Sequence, residues 1–392
     1  MNRLMTYCLG VLLFATLSAG TAEAEILAMV NYESKTAESL KTLKLSGPAE
    51  RQEGIAILDV DPDSERFGQI LWQMPLPSDL VAHHIFYDRA MTKAYVTSLG
   101  KGELQVMDMT QAPYRIKKLD VPECIMGEDV VFSADNSTWY LTCMGSANVI
   151  VGSVESDEIT GKIDLPDTYP HGLAVHDAID RIIVTNTVKG DLTDPRESIS
   201  VVEASTLKVL GEHKLSLKES PSGEAPVEAL FVPGAEPPMA YITNMFGGTL
   251  WAATWNAGKA DFDVAQIFDF AAEEVGIPLE MYVNDAGDRL YLTTAKPGKL
   301  HIFDIGDDPA APKLMKTLAA GEGAHHVAIT KDENYAFVQN ALLNLPGLSE
   351  GTITVVDLEK EEVVATIDTL KDMGFNPNSI VLLPDWNSLA GH

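Results

Sequence analysis

Short runs of alternating apolar and polar residues recur along almost the whole chain, and turn-forming residues separate them. Examples are Glu103-Leu-Gln-Val-Met-Asp and Lys299-Leu-His-Ile-Phe-Asp, whose alternation is typical of strands with one buried face. Turn sequences such as Asp285-Ala-Gly-Asp lie between such runs. The pattern therefore predicts an all-β protein built from many short strands.

A longer unit, in which a polar entry leads into an apolar triplet and then a second strand, occurs seven times. Three of the entries are Val81-Ala-His-His-Ile-Phe-Tyr, Tyr169-Pro-His-Gly-Leu-Ala-Val and Gly323-Ala-His-His-Val-Ala-Ile. Successive units lie 43 to 57 residues apart, near the roughly 40–50 residues of a four-stranded propeller blade. The repeat predicts a seven-bladed β-propeller of four-stranded antiparallel blades.

The two ends of the chain complete the count of strands. Residues 27–31, 54–60 and 70–76 supply the second, third and fourth strands of a blade that has no first strand. Residues 379–383 supply the missing strand. We therefore expect residues 25–392 to form one propeller, closed by pairing of the N-terminal and C-terminal strands so that no sheet edge is exposed.

The second strands carry a recognisable motif. It reads Tyr95-Val-Thr-Ser, Ile183-Val-Thr-Asn, Tyr241-Ile-Thr-Asn and Tyr291-Leu-Thr-Thr in four of the repeats. With these motifs the chain resembles the YVTN-type seven-bladed β-propellers over nearly all of residues 25–392. The resemblance implies the fold, and it implies little about activity because propellers support many chemistries.

The first 24 residues have the composition of an export signal. Arg3 precedes an apolar run at residues 9–15, and the segment ends in Ala22-Glu-Ala24. A positively charged start, a short apolar core and small residues at the end are typical of a secretory signal peptide, and the core is too short to span a membrane. We expect a periplasmic or secreted protein with no membrane span in the mature chain.

The chain is strongly acidic. It has 28 Lys and Arg against 57 Asp and Glu, which gives a formal net charge of −29 at pH 7. Such a surface repels nucleic acid and anionic lipid and attracts cations. Solubility alone also accounts for this charge.

Three cysteines are present, and Cys8 belongs to the signal segment. Cys124 precedes the innermost strand of the third blade, and Cys143 ends its second strand, so antiparallel pairing brings them to one end of the blade. In an oxidising compartment we expect a disulfide between them. A pair of soft-metal ligands and two free thiols are the alternatives.

Alignment on the apolar triplets places one residue of each repeat at the start of the innermost strand, beside the central channel. These residues are His83, Glu128, His171, Glu228, Leu279, His325 and Asn378. Imidazoles from three separated blades, with two carboxylates between them, predict a site for copper or, second, zinc. The alternative is that entry positions are simply polar and wet in any propeller.

Two further histidines follow directly in sequence. Because side chains alternate along a strand, His84 and His326 should turn towards a neighbouring blade if His83 and His325 face the channel. There they would either orient the metal ligands through hydrogen bonds or pack between blades.

Three long connections are predicted on the same face as these entries. They are residues 33–53, 187–197 and 341–350, each between a second and a third strand. Long loops over a polar concavity are typical of a binding or catalytic site. Flexible linkers are the alternative.

A histidine-lined channel in an exported propeller also resembles the selenium-binding/methanethiol oxidase family and, more distantly, the propeller of nitrous oxide reductase. That resemblance implies a copper site. The chain departs from it because only three histidines share the aligned position and no cupredoxin domain follows, so a single metal ion is expected.

Three functions remain open from the sequence. The first is a metal-binding propeller, which acts either as a metal-dependent oxidoreductase or as a metal-handling protein. The second is a metal-free scaffold whose long loops hold a periplasmic partner protein. The third is a lyase or lactonase in which a pair such as His171 and Glu228 performs acid–base chemistry, with Mg²⁺ as a further cofactor.

Overall fold

Seven four-stranded antiparallel sheets form a closed ring in the computed structural model, which describes residues 25–35 and 51–389. The predicted signal segment, residues 1–24, lies outside the described residues, and so does most of the predicted long connection 33–53. The predicted fold class is confirmed. No helix among the described residues is long and apolar enough to cross a membrane.

Each blade runs from an innermost strand beside the channel to an outer strand at the rim. The innermost strands are β4 (Ala82–Tyr87), β8 (Gly127–Phe132), β12 (Pro170–His176), β16 (Pro226–Phe231), β20 (Gly276–Val283), β24 (Ala324–Ile329) and β28 (Phe375–Leu382). The second strands are β5 (Lys93–Ser98), β9 (Thr138–Cys143), β13 (Arg181–Asn186), β17 (Met239–Asn244), β21 (Arg289–Lys296), β25 (Tyr335–Asn340) and β1 (Leu27–Ser34).

The third and fourth strands complete the blades in the same order. The third strands are β6 (Glu103–Asp108), β10 (Asn148–Ser153), β14 (Ser198–Glu203), β18 (Thr249–Asn256), β22 (Gly298–Asp304), β26 (Thr352–Asp357) and β2 (Glu53–Asp59). The outer strands are β7 (Arg115–Asp120), β11 (Ile159–Asp164), β15 (Lys208–Lys214), β19 (Asp261–Asp269), β23 (Lys313–Ala319), β27 (Glu362–Ile367) and β3 (Ile70–Leu76). Short helical turns occupy Asp177–Ile179, Phe270–Glu273 and Thr369–Asp372.

Pairing of the chain ends closes the ring, as the sequence predicts. Strand β28 lies antiparallel to β1, with Met29 opposite Val381 and Val30 opposite Ile380. The first blade therefore takes its innermost strand from the C-terminal part of the chain. This arrangement leaves no unpaired edge between the first and last blades, where another chain could add a strand.

Apolar side chains on both faces of the inner strands pack between adjacent blades. In one such layer, Tyr95 and Leu104 of the second blade contact Val130 and Trp139 of the third. The outer strands instead consist mainly of exposed and partly buried positions, as in β7. Packing of sheet against sheet, repeated around the ring, thus fixes the positions of the innermost strands.

A β-bulge interrupts the innermost strand in each of the second to seventh blades. In the second blade Ala82 pairs with Ser98 and Ile85 with Val96, so that His83 and His84 together face the single residue Thr97. The same two-against-one register shift occurs in the five blades that follow. A bulge breaks the strict alternation of side chains, because the extra residue bends the strand locally.

In four of these six blades the residue opposite the bulge accepts a hydrogen bond from the backbone amide of the second bulge residue. Thr97 Oγ1 accepts from the amide of His84 at 3.0 Å, Thr142 Oγ1 from that of Asp129 at 2.9 Å, and Thr243 Oγ1 from that of Glu228 at 3.2 Å. The threonine of the Tyr-Val-Thr motif therefore satisfies an amide that strand pairing leaves without a backbone acceptor.

The strand register corrects one predicted position. In the fifth blade Ala229 pairs with Ile242, so Val227 is equivalent to His83, and Glu228 is equivalent to His84. The prediction that Glu228 shares the position of His83 is wrong. The reason is that residues 229–232 are four apolar residues in a row, which allows two registers of the apolar triplet.

Candidate metal centre

The bulge residues of six blades converge in one buried cluster at the channel axis. Its members are the imidazoles of His83, His84, His171, His325 and His326 and the carboxylates of Glu128, Asp129, Glu228 and Glu280. His171 is the most exposed of the nine side chains, at 13%. The cluster therefore concentrates ionisable groups in a place from which bulk water is largely excluded.

Three predicted ligands meet at one carboxylate oxygen. Oε2 of Glu128 lies 3.1 Å from Nε2 of His83 and 3.7 Å from Nε2 of His171. Two ligand atoms at 2.0–2.1 Å from a tetrahedral ion lie roughly 3.3 Å apart, so these separations fit a shared metal. The set of His83, Glu128 and His171 is called the outer set below.

The third predicted histidine lies elsewhere in the cluster. Ligand atoms of His325 group with those of His84 and His326, all within 4.8 Å of one another. Glu228 contacts the outer set through His171, with Oε1 3.0 Å from Nδ1 of that imidazole. The structure thus brings the predicted residues into one channel but divides them among three groups of ligand atoms, of which the third joins His171 and Glu228 to Asp129.

The prediction that His84 and His326 turn away from the channel is wrong. Their ring centroids lie 4.4 Å apart, although they belong to the second and seventh blades, which the first blade separates. Side chains from non-adjacent blades can meet only near the axis. The physical reason is the bulge, which lets two consecutive residues, such as His83 and His84, both approach the channel.

Two carboxylates of the cluster were not among the predicted site residues. Asp129 Oδ1 lies 3.1 Å from Nδ1 of His84, and Glu280 Oε1 lies 3.2 Å from Nε2 of His325. Both carboxylates occupy the second bulge position, directly after Glu128 and Leu279 in sequence. Strand alternation assigns that position to the space between blades, which is why the sequence pattern alone does not select it.

The electrostatic environment differs sharply between two of the imidazoles. Complete burial lowers the pKa of His84 well below its usual value, and the four neighbouring imidazoles lower it further. Burial also opposes the charge on His171, but the carboxylates of Glu128 and Glu228 outweigh it and raise the pKa of His171 to about 10. His84 is therefore neutral and able to bind a metal, whereas His171 without a metal is a cation held between carboxylates.

Glu128 is held as a carboxylate by the same contacts. Its burial favours the protonated form, but the imidazoles of His83 and His171 lower its pKa below the usual value. A buried anion of this kind is stable only with positive charge beside it. A bound metal ion supplies such charge directly.

An apolar vestibule leads from the protein surface to the outer set. It is a cavity of about 320 Å³ at the end of the channel where the innermost strands begin. Its floor includes His83, Glu128, His171 and His325. Its walls are mainly apolar and come from several blades: Leu99, Met126, Met144, Val188, Met245, Phe246, Leu279, Leu342, Leu345 and Leu348.

Two of the three predicted long connections border this vestibule. Thr187–Leu192 and Leu342–Leu348 contribute lining residues from the connections 187–197 and 341–350. Lys35, at the start of the connection 33–53, donates from Nζ to the carbonyl oxygens of Ser349 and Glu350 at 3.0 and 3.1 Å. The described parts of all three connections therefore lie at the channel mouth or contact a loop that forms it.

A disulfide supports the wall of the vestibule. Cys124 and Cys143 are joined with an S–S distance of 2.02 Å. Met126 and Met144, which follow the two cysteines closely in sequence, line the cavity. The cross-link thus fixes the loop before β8 against the end of β9.

Comparison with known proteins identifies the fold. No protein-family model matches the chain, and no curated protein does. Among solved structures, a hypothetical selenium-binding protein from Sulfolobus tokodaii has a TM-score of 0.73 at 13% identity, over 94% of this chain and 96% of that one. Kuenenia stuttgartiensis hydrazine synthase has a TM-score of 0.58 at 13% identity, over 79% and 92%.

A candidate 6-phosphogluconolactonase from Bacteroides fragilis is similar in the same way, with a TM-score of 0.59 at 12% identity over 93% and 99% of the two chains. Likeness at such identities shows the seven-bladed propeller fold and nothing finer. Membership of the YVTN group stays a prediction. The proteins of this fold carry different names, so function must be argued from the site.

Proposed function

We propose that this protein is an exported propeller that binds a transition-metal ion, copper first and zinc second, at the channel mouth. There the ion would take part in the oxidation or reduction of a small uncharged molecule. The observation that carries the proposal is the convergence of His83, Glu128 and His171, whose ligand atoms are separated by 3.1 and 3.7 Å. Two imidazoles and one carboxylate from three blades would hold the ion.

The donor set supports a transition metal rather than Mg²⁺ or Ca²⁺. Imidazole nitrogen suits copper and zinc, whereas the hard cations prefer all-oxygen coordination. Copper is placed before zinc because three thioether side chains, Met126, Met144 and Met245, line the vestibule. Thioether sulfur is a soft donor that favours Cu(I) on the way to the site. Copper bound there would supply one-electron chemistry.

The vestibule supports action on a small molecule rather than storage alone. A metal-storage protein needs only a closed metal site, but in this protein a cavity of about 320 Å³ ends at the outer set. Its apolar walls favour an uncharged molecule, because transfer of a charged group into such a space would cost several kcal/mol. His83, Glu128 and His171 would hold the metal, and the apolar walls would orient the molecule and exclude water.

Export is supported by the N-terminal composition and by the cysteines. A signal-like segment precedes residue 25, and Cys124 forms a disulfide with Cys143. Disulfides persist in the periplasm and outside the cell, where the redox environment is oxidising.

The site favours this function over both alternatives. A lyase or lactonase that used His171 as its general base would need a neutral imidazole, but Glu128 and Glu228 raise the pKa of His171 to about 10 despite its burial, so the free imidazole already carries a proton. A metal-free scaffold gives no reason to bury nine ionisable groups together, which is costly unless a ligand compensates them.

The test is titration of Cu²⁺ and Zn²⁺ into metal-stripped protein. Replacement of His171 by Ala should lower affinity by at least about 100-fold, since loss even of a residue that only orients a ligand costs about 10–100-fold. His213→Ala is the matched control, because His213 lies on β15 and contacts Asp261 at the rim. Equal affinity in wild type and His171→Ala would refute the proposal.

A second arm tests the redox role. Copper-loaded and zinc-loaded protein should be compared for oxygen uptake with a panel of small uncharged reductants. Zinc has no redox chemistry, so only the copper-loaded protein should consume oxygen. Equal rates with both metals, or none with either, would leave metal binding and exclude the redox role.

A further inference from the structure

We propose that the channel holds two metal ions: one at the outer set, and a second, deeper one bound by His84, His325 and His326, called the inner set below. The inference rests on the proposed function and extends it, since sequence alone predicts a single ion. It assigns two histidines that were expected to orient ligands, His84 and His326, as ligands themselves.

The two sets share no residue. His83, Glu128 and His171 offer ligand atoms within 4.8 Å of one another, and His84, His325 and His326 do so separately. The five imidazoles and Glu128 exceed the four positions of a tetrahedral copper or zinc ion. One ion cannot use both sets, whereas two ions would use every histidine of the cluster.

Carboxylates contact the inner imidazoles in the way that metal-bound histidines require. Nδ1 of His84 lies 3.1 Å from Asp129 Oδ1, and Nε2 of His325 lies 3.2 Å from Glu280 Oε1. Nδ1 of His326 lies 3.8 Å from the other oxygen of Glu280. A carboxylate on one ring nitrogen fixes the imidazole's orientation and directs the other nitrogen towards a metal.

The remaining nitrogens of two inner histidines support a ligand directly. Nε2 of His84 and Nδ1 of His325 are buried and have no hydrogen-bond partner among the described residues. The side chains are 0% and 4% exposed, respectively. A buried nitrogen without a partner loses its hydration with nothing in return, and a shared metal ion would remove that cost at both positions.

The two sets differ in access and in donor type. All three members of the outer set line the vestibule, whereas only His325 of the inner set does. The inner set is therefore less accessible from the vestibule and is made only of imidazoles, which suits a firmly held copper or zinc ion. The outer set is open and includes a carboxylate, so its ion can exchange and can meet a small molecule.

The two centres would be close neighbours. The rings of His83 and His84 stack with centroids 3.8 Å apart, and those of His84 and His171 lie 6.1 Å apart. Ions bound to adjacent residues of one bulge are near enough for two Cu²⁺ ions to couple magnetically, which provides a readout independent of activity.

The experiment measures metal per chain. Metal-stripped protein is loaded with excess Cu²⁺, washed over a weak chelating resin to remove ions bound to the acidic surface, and analysed for copper and protein. We expect two copper ions per chain in wild type and in the rim control His213→Ala. We expect one copper ion per chain in His326→Ala and one in His83→Ala.

Electron paramagnetic resonance separates the two centres. Wild type should show fewer than two uncoupled Cu²⁺ spins per chain, and His326→Ala should show one uncoupled spin. One copper per chain in wild type, with an uncoupled spin, would overturn the second centre and leave the proposed function intact. No retained copper in wild type would refute both. The wild-type measurement decides the matter even if a variant fails to fold.

Discussion

The threonine opposite the bulge makes a prediction with a matched control inside the same ring. In the third blade Thr142 is fully buried, and its Oγ1 accepts the amide of Asp129 at 2.9 Å. In the sixth blade Thr293 occupies the equivalent position and is also fully buried, but its Oγ1 has no hydrogen-bond partner among the described residues. Replacement by valine keeps the shape of the side chain and removes only the hydroxyl.

The expected effects have different magnitudes and different signs. Thr142→Val leaves the buried amide of Asp129 without its acceptor, which should cost about 1–3 kcal/mol of unfolding free energy. Thr293→Val replaces an unsatisfied buried hydroxyl by a methyl group and should be neutral or slightly stabilising. The shift in Tm is the loss of unfolding free energy divided by the unfolding entropy of the whole chain. With about 2.1 cal/mol/K per residue, Thr142→Val should lower Tm by about 1–4 °C.

Urea unfolding followed by circular dichroism measures both variants against wild type, and metal titration adds a second readout. Thr142→Val should also weaken copper binding, because it loosens the bulge that positions Glu128 and Asp129. The reasoning would be refuted if both valine variants lost the same stability, or if Thr142→Val lost none. Either result would mean that the threonines act through packing and not through the amide.

Two further predictions concern stability. Burial, with a smaller effect of Lys299, lowers the pKa of His301 from 6.5 to about 4. As pH falls from 6.5 towards 4, His301 of the unfolded chain is protonated before that of the folded chain. The free energy of unfolding should therefore fall by up to about 3 kcal/mol. His301→Gln should reduce that loss in urea unfolding at pH 7 and pH 4.5, and an unchanged loss would contradict it. Cys124 and Cys143 are 19 residues apart, and replacing both by alanine should lower the free energy of unfolding by about 3 kcal/mol. An unchanged urea midpoint would show that the disulfide contributes nothing to stability.

The fold could be predicted because each blade repeats the same local rules. Motifs such as Tyr95-Val-Thr-Ser and Tyr241-Ile-Thr-Asn mark second strands at nearly regular intervals, and the seven units can bury their apolar faces only against one another. Closure by β28 and β1 followed from counting strands. These inferences depend on period and strand number, which a local irregularity does not alter.

The site could be predicted only in part, because it depends on that irregularity. A bulge shifts the phase of side-chain alternation without any fixed signature in the sequence. The sequence signal that could have indicated the bulge is the occurrence of two consecutive ionisable residues at the start of a strand. These pairs are His83-His84, Glu128-Asp129 and His325-His326. Strict alternation would place Asp129 in the apolar layer between blades, where an unpaired charge is prohibitively costly.

Glu280 illustrates a second limit. It follows Leu279, so nothing beside it in sequence indicates a ligand site. Its role emerges only when Oε1 is found 3.2 Å from His325 of the next blade. Contacts between residues so far apart in sequence are set by the ring geometry, and composition carries no information about them.

The bulges separate the chemistry of the channel from the architecture that supports it. In four of the six bulged blades the amide of the second bulge residue donates to a side chain on the neighbouring strand, and its backbone position therefore does not depend on its own side chain. The acceptors are Thr97, Thr142, Thr243 and Gln339. Side chains at these positions are therefore exchangeable over generations without refolding the blade. The ring already holds histidine, aspartate, glycine and glutamate at this position, as at His84, Asp129, Gly172 and Glu228. A scaffold of this kind can acquire, move or lose a reactive centre by single replacements, which makes its interior a site of evolutionary innovation while its exterior stays the same.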